Sequence, residues 1–246
     1  MIKKLKWFIF LIGFAYYMYY LILSKKLYLF IHPKMTKYII FSMVVLFILS
    51  ILEFKKILFN KKHTTSVSMI FFVPLILAYI INPQGLNSNI AANKGITSKT
   101  YSNETNVKNT TSNKNNNLIK FTNDNFSDMT NEISYNLKKY KGKKITISGF
   151  VYRDDHFPKN IFVTARMLII CCAADAEVTG LACHVKSNMN IKNNEWINIT
   201  GTLNSTANFD TDYSDQKIIP IIDVTSIKKI NKPSNPYIYL KKSVAK

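Results

Sequence analysis

Residues 7–23 read WFIFLIGFAYYMYYLIL, seventeen positions without a charge, with Lys3, Lys4 and Lys6 before them and Lys25 and Lys26 after. Two comparable runs follow. Residues 38–54 (YIIFSMVVLFILSILEF) hold a single charge, Glu53, and residues 66–81 (SVSMIFFVPLILAYII) hold none. A bilayer core of about 30 Å needs roughly 20 apolar residues, with a lower limit near 17, and the interfacial Tyr, Trp and Lys lengthen each run. Residues 1–85 are therefore expected to form a transmembrane region of three helices, at about 7–23, 38–54 and 66–81. Pro74 interrupts the third and makes it the weakest of the three. A cleaved signal peptide is disfavoured for the first run, because Leu23-Ser24-Lys25-Lys26 offers no small-residue cleavage site. Glu53 is expected to reach towards Lys55 or Lys56 at the membrane surface.

Outward from these runs the composition changes twice. Residues 87–117 (NSNIAANKGITSKTYSNETNVKNTTSNKNNN) are dominated by Asn and contain few apolar side chains. Such a stretch buries too little surface to offset its ordering entropy, so 86–117 is expected to be a polar, flexible linker. From residue 118 to 246 the mixture becomes that of a soluble domain. Phe126, Met129, Ile133 and Leu137 recur at helical spacing within 123–139, Ser127 or Asp128 stands where a cap would, and Gly142 ends the pattern. Strand-like runs occupy 144–152, 161–171, 181–186, 196–203 and 218–230, with Gly149 inside the first and Gly201, read as a bulge or a bend, inside the fourth. One helix and five short strands predict a small, mainly β domain. An OB-like barrel is the expected form, with a five-stranded sandwich as the alternative.

The net charge is +19, and the excess runs along the whole chain: residues 1–65 alone carry eleven Lys against one Glu. Neither a basic helix nor an RNP-type aromatic motif accompanies it, so lipid is the expected partner and nucleic acid is not. Lys3, Lys4, Lys6, Lys55, Lys56, Lys61 and Lys62 would share one side of the membrane. Lys25, Lys26, Lys34, Lys37, Lys94 and Lys99 would share the other. This small bias favours an internal N-terminus and an extracytoplasmic C-terminal domain in a multi-pass membrane protein.

The three cysteines, Cys171, Cys172 and Cys183, fall within 13 residues. Adjacent side chains on a regular strand point to opposite faces, so Cys171 and Cys172 can share a ligand only if the chain leaves the strand there. A hairpin centred near residue 177 would bring Cys183 opposite them, with Asp175 and His184 close by. Cys171, Cys172, Asp175, Cys183 and His184 are thus a candidate set for a thiophilic metal ion such as zinc. Buried structural thiols, a disulfide and thiol redox chemistry remain open beside it, and Cys-Cys-x10-Cys is no standard zinc spacing. His32 and His63 fall at the edges of apolar runs. His156 follows Arg153-Asp154-Asp155 in a surface turn or a ligand site. The sequence contains no Walker motif and no dinucleotide fingerprint, and supports no Ser-His-Asp arrangement, so an enzyme is not expected.

Arg166, Cys171, Cys172, Ala174, Asp175 and Ala176 stand in the order R-x-x-x-x-C-C-x-A-D-A. This segment resembles the YcgQ-like family of membrane proteins, the domain-of-unknown-function 1980 (DUF1980) family. Gly149–Asp154 (GFVYRD), Trp196 with Gly201, Pro236–Tyr239 (PYIY), Leu86–Gly95 and Ile31-His32-Pro33 fit the same family, although Asn87 stands where it more often has Asp. The resemblance spans nearly the whole chain. It implies an accessory subunit of a two-component permease complex, working with a larger polytopic permease subunit. It implies no transported substance. The alternative function from the residues themselves is a thiol-based module that delivers or senses metal at the membrane.

Overall fold

The computed structural model describes residues 2–59, 68–81, 85–86, 118–186, 191–210 and 214–240. The chain divides into two compact units, Met1–Gly85 with Cys171–Ala173, and the remainder of Leu86–Lys246. The linker run 87–117, His63 and most of the loop between the second and third apolar runs lie outside the described residues.

In the first unit, α1 covers Ile2–Leu23 and α2 covers Thr36–Leu58. At about 1.5 Å per residue each exceeds 30 Å, and both are long and apolar enough to cross a membrane. The third apolar run is a 3-10 turn, Met69–Phe71, leading into α3, Phe72–Ile80. Pro74 is the third residue of α3, in its first turn, where its missing N–H leaves no bond unmade, so the helix runs through it where an interruption was expected. Met69–Ile80 is shorter than the other two, roughly 18 Å. The helices meet through aromatic rings and one glycine. Phe8 lies 5.5 Å from Phe54 of α2, Tyr17 lies 5.3 Å from Tyr79 of α3, and the Tyr79 hydroxyl donates to the Gly13 carbonyl at 3.3 Å. Lys56 pairs with Glu53 at 2.7 Å, in line with the expectation at that end of α2.

The second unit is a closed five-stranded barrel with one short strand added on each side. Its strands are β1 (Leu118–Lys120), β2 (Lys144–Tyr152), β3 (Ile161–Ile169), β4 (Glu177–His184), β5 (Trp196–Ala207), β6 (Ile218–Lys229) and β7 (Tyr237–Tyr239). β2 pairs antiparallel with β5, β5 with β6, β6 runs parallel to β4, β4 pairs antiparallel with β3, and β3 closes on β2. That circuit is the Greek-key order of an OB-type barrel, as expected. β1 joins β2 and β7 joins β3, both in parallel.

Closure depends on close approach. A Cβ on Gly149 would lie 2.4 Å from the Ala165 carbonyl oxygen, and one on Gly180 2.3 Å from that of Thr164. Only glycine permits such contacts, and both sit where β3 is gripped between its neighbours. The register shift between β5 and β6 falls at Thr200/Gly201, where a bulge or a bend was expected. Ile145, Ile147, Phe162, Leu168, Leu181, Ile197, Ile199, Leu203 and Ile222 fill the interior. Two helices precede β2, α4 (Phe126–Tyr135) and α5 (Leu137–Tyr140), interrupted at Asn136 within the single helix expected. α4 adds Phe126 and Ile133 to the core, and Phe121 meets Phe126 edge-on at 5.3 Å. The residue at the start of α4 is Asn125, and its side chain bonds backward to Thr122 N and Lys120 O; Ser127 and Asp128 lie inside the first turn.

Replacing Gly180 with alanine should force the β3 backbone aside. The expected cost is at least about 1–3 kcal/mol, read as a lowered thermal midpoint of the detergent-solubilised chain; an unchanged midpoint would show that the close approach is not made.

Candidate functional site

β3 ends at Ile169, and a 3-10 turn, Ala173–Asp175, carries the chain into β4. Cys171 and Cys172 therefore stand in the turn, beyond the regular strand, and are not forced to opposite faces. The sulfurs of Cys171 and Cys172 and a carboxylate oxygen of Asp175 all lie within 4.8 Å of one another. Asp175 is oriented by its own turn: Oδ1 accepts from the Ile170 N–H at 3.1 Å. Cys171 is exposed and Cys172 half-buried. Two sulfurs on one tetrahedral zinc stand about 3.8 Å apart, given Zn–S bonds near 2.3 Å. Small side-chain rotations would bring these donors to that spacing. Two thiolates and one carboxylate fill three positions of a tetrahedron and leave one for water or an exchanging ligand.

The other two members of the sequence-derived set stand elsewhere. β3 and β4 pair Leu168 with Glu177, Phe162 with Cys183 and Ile161 with His184. The hairpin thus turns between Cys172 and Ala173, several residues before the expected centre near 177. β4 begins at Glu177 because Gly180, read as part of the turn, is a strand residue admitted by close packing. Cys183 consequently lies six pairs along the hairpin from its last pair, about 20 Å away. It is fully buried, its sulfur 3.2 Å from Thr164 Oγ1, and burial pushes its thiol up to about 12. A thiol held neutral in an apolar core is a packing group, not a ligand. His184 is half-buried at the end of β4, with Nδ1 3.2 Å from Asp223 Oδ1, whose other oxygen accepts from Asn204 Nδ2 at 3.0 Å.

The other two described histidines, His32 and His156, have local partners. His32 Nδ1 accepts from the Lys34 N–H at 3.0 Å and starts the 3-10 turn at Pro33–Met35. His156 is exposed in the β2–β3 loop, with Nδ1 2.7 Å from Asp154 Oδ1; the other Asp154 oxygen accepts from the Tyr152 hydroxyl at 3.1 Å. Asp154 raises the His156 pKa above its ordinary 6.5, and the His156 backbone N–H is the largest cause that holds Asp154 below 3.8. Pattern reading gave no role to Arg166, whose side chain is buried within an otherwise uncharged strand. The signal was a lone guanidinium in IFVTARMLI.

Residues 7–97 match the DUF1980 N-terminal domain and residues 96–240 the DUF1980 C-terminal domain. The chain belongs to the DUF1980 family. It is 35% identical over 103 residues to the UPF0703 protein YcgQ of Bacillus subtilis (strain 168), a match covering 41% of this chain and 34% of that relative. The match therefore spans about a third of the relative's length.

A thiol-directed alkylating reagent should label Cys171 and Cys172 in the folded, metal-free protein and reach Cys183 only after denaturation, read as mass increments; rapid labelling of all three would contradict the buried position of Cys183. The Asp154–His156 pair has a defined pH window. The depressed Asp154 contributes stability that is present above 3.8 and lost as pH falls through its folded value. The raised His156 contributes stability that is complete below 6.5 and lost as pH rises through its folded value. An NMR titration of His156 should show a midpoint above 6.5 that moves down in Asp154→Asn, and a midpoint that ignores the substitution would show that the pair is not formed.

Proposed function

We propose that this chain is a membrane-anchored accessory subunit of a permease complex, with the barrel on the extracytoplasmic side. The observation that carries the proposal is the state of its apolar helices. Only 11% of the apolar window of α1 and 6% of that spanning Pro33–Leu58 is buried within the chain. Large apolar side chains such as Phe41, Phe47 and Ile48 remain exposed. Lipid and further helices are the environments that would cover such surfaces. The two spanning-length helices and the third, shorter one among the described residues are too few to enclose a polar pathway, so a transport role would need a polytopic partner. The modest Lys bias of the loops supports the external barrel.

A second reading is favoured by the cysteine turn. Two thiol sulfurs and a carboxylate within 4.8 Å, one of them exposed, suit an exchangeable thiophilic ion better than a closed structural site. On this reading the barrel takes up or passes on metal beside the membrane, within the same complex.

Crosslinking in native membranes followed by purification should recover the chain with a larger polytopic protein. Recovery of the chain alone, at full crosslinking efficiency, would contradict the accessory role. For the second reading, purified full-length protein should bind one zinc ion per chain, with at least tenfold weaker binding in Cys172→Ser. Equal zinc affinity in that variant would remove the cysteine turn from the account.

A further inference from the structure

Arg166 is only 4% exposed. Its three nitrogens are satisfied by neutral acceptors: Nε donates to the Pro236 carbonyl at 3.1 Å, one terminal nitrogen to the Ser148 carbonyl at 3.4 Å, and the other to Asn123 Oδ1 at 2.7 Å. Its guanidinium carbon lies 5.0 Å from the centre of the Trp196 ring and 6.0 Å from that of Phe126. Among the described residues no carboxylate pairs with it. Burial lowers its pKa only to about 10, so the group stays charged at neutral pH. A buried cation whose partners are all neutral keeps most of its charge uncompensated, and in low dielectric that charge acts over a longer range than in water.

Two of the residues touching this guanidinium, Trp196 and Pro236, also line a cavity of about 230 Å³ in the same unit. At about 30 Å³ per water-sized group it holds roughly eight such groups, below the size of typical drug sites. Phe150 and Tyr237 give it further aromatic walls, and Asn194 and Lys232 are its polar members. Phe150 and Trp196 stand with ring centres 6.1 Å apart. Among the described residues no acidic side chain lines it. A small cavity with flat aromatic walls, an ammonium and an amide at its edge and an uncompensated guanidinium behind its wall selects for one chemistry.

We propose that this cavity binds a small, flat organic carboxylate. Its carboxylate is held by Lys232 and Asn194, its body lies against Trp196 and Tyr237, and the field of Arg166 favours its negative charge. The site is separate from the cysteine turn and does not depend on metal binding or on a permease partner.

The chain has two tryptophans, Trp7 and Trp196, so a Trp7→Phe background leaves Trp196 as the only indole reporter. In that full-length protein in detergent, benzoate is the probe and benzamide its neutral isostere. Benzoate should change Trp196 emission saturably, and benzamide should need at least tenfold higher concentration. Lys232→Met should weaken benzoate at least tenfold without altering the thermal midpoint, and Lys232→Arg should restore most of the affinity. Arg166→Met tests the field directly, and Lys232→Met keeps the test decisive if that variant fails to fold. Equal responses to benzoate and benzamide, no saturable response to either, or undiminished benzoate binding in Lys232→Met would each overturn the proposal.

Discussion

Gly180 of β4 lies against the backbone of β3 so closely that no side chain fits between them. Gly149 makes the same approach from β2. Together they fix where β3 sits between its neighbours, and the register of β3 on β4 follows, with Ala165 opposite Gly180. Because side chains alternate with a period of two, a slip of one residue would turn the entire strand inside out. In the observed register Phe162 and Leu168 face the core and Cys183 joins them there, while Cys171 and Cys172 fall past the last pair, in the turn. The separation of one inert thiol from two accessible ones is thus a consequence of strand register.

That same register explains which parts of the fold were legible in the sequence. β2 and β5 alternate with one face towards the core, and their limits were readable to within a few residues. β3 is buried at all nine positions, which erases the alternation, so the run appeared to extend through Cys171. β4 was placed four residues late because Gly180 resembles turn punctuation and functions as a packing residue. β1 and β7 have three residues each, too few to show any period. They are recruited by the exposed edges of β2 and β3, a tertiary effect. The apolar runs needed only length and hydropathy. The position of Pro74 at the start of α3 depended on helix geometry that composition does not express.

The candidate site was half legible for a related reason. The Cys171-Cys172 doublet and Asp175 are local, and their proximity follows from one turn of chain. Cys183 and His184 were assigned by assuming a hairpin centre, and moving that centre by about five residues sends one into the core and the other to Asp223. Arg166 was visible as an oddity, but its surroundings come from four separate segments: the loop before α4 with the first residue of that helix, β2, β5 and the residues before β7. No local pattern brings those together. The chain therefore combines apolar helices that leave their surfaces open, a barrel closed by glycine contacts, and a thiol turn that the barrel's register holds outside its core.

Two cysteines, and not three, stand close enough to meet at one ion. Cobalt(II) bound to the full-length protein reports this directly through sulfur-to-metal charge-transfer absorption, whose intensity rises with each thiolate ligand. The expected intensity is that of two thiolates, unchanged in Cys183→Ala and reduced in Cys171→Ser and in Cys172→Ser. An intensity of three thiolates that falls to two in Cys183→Ala would contradict the register and the site together.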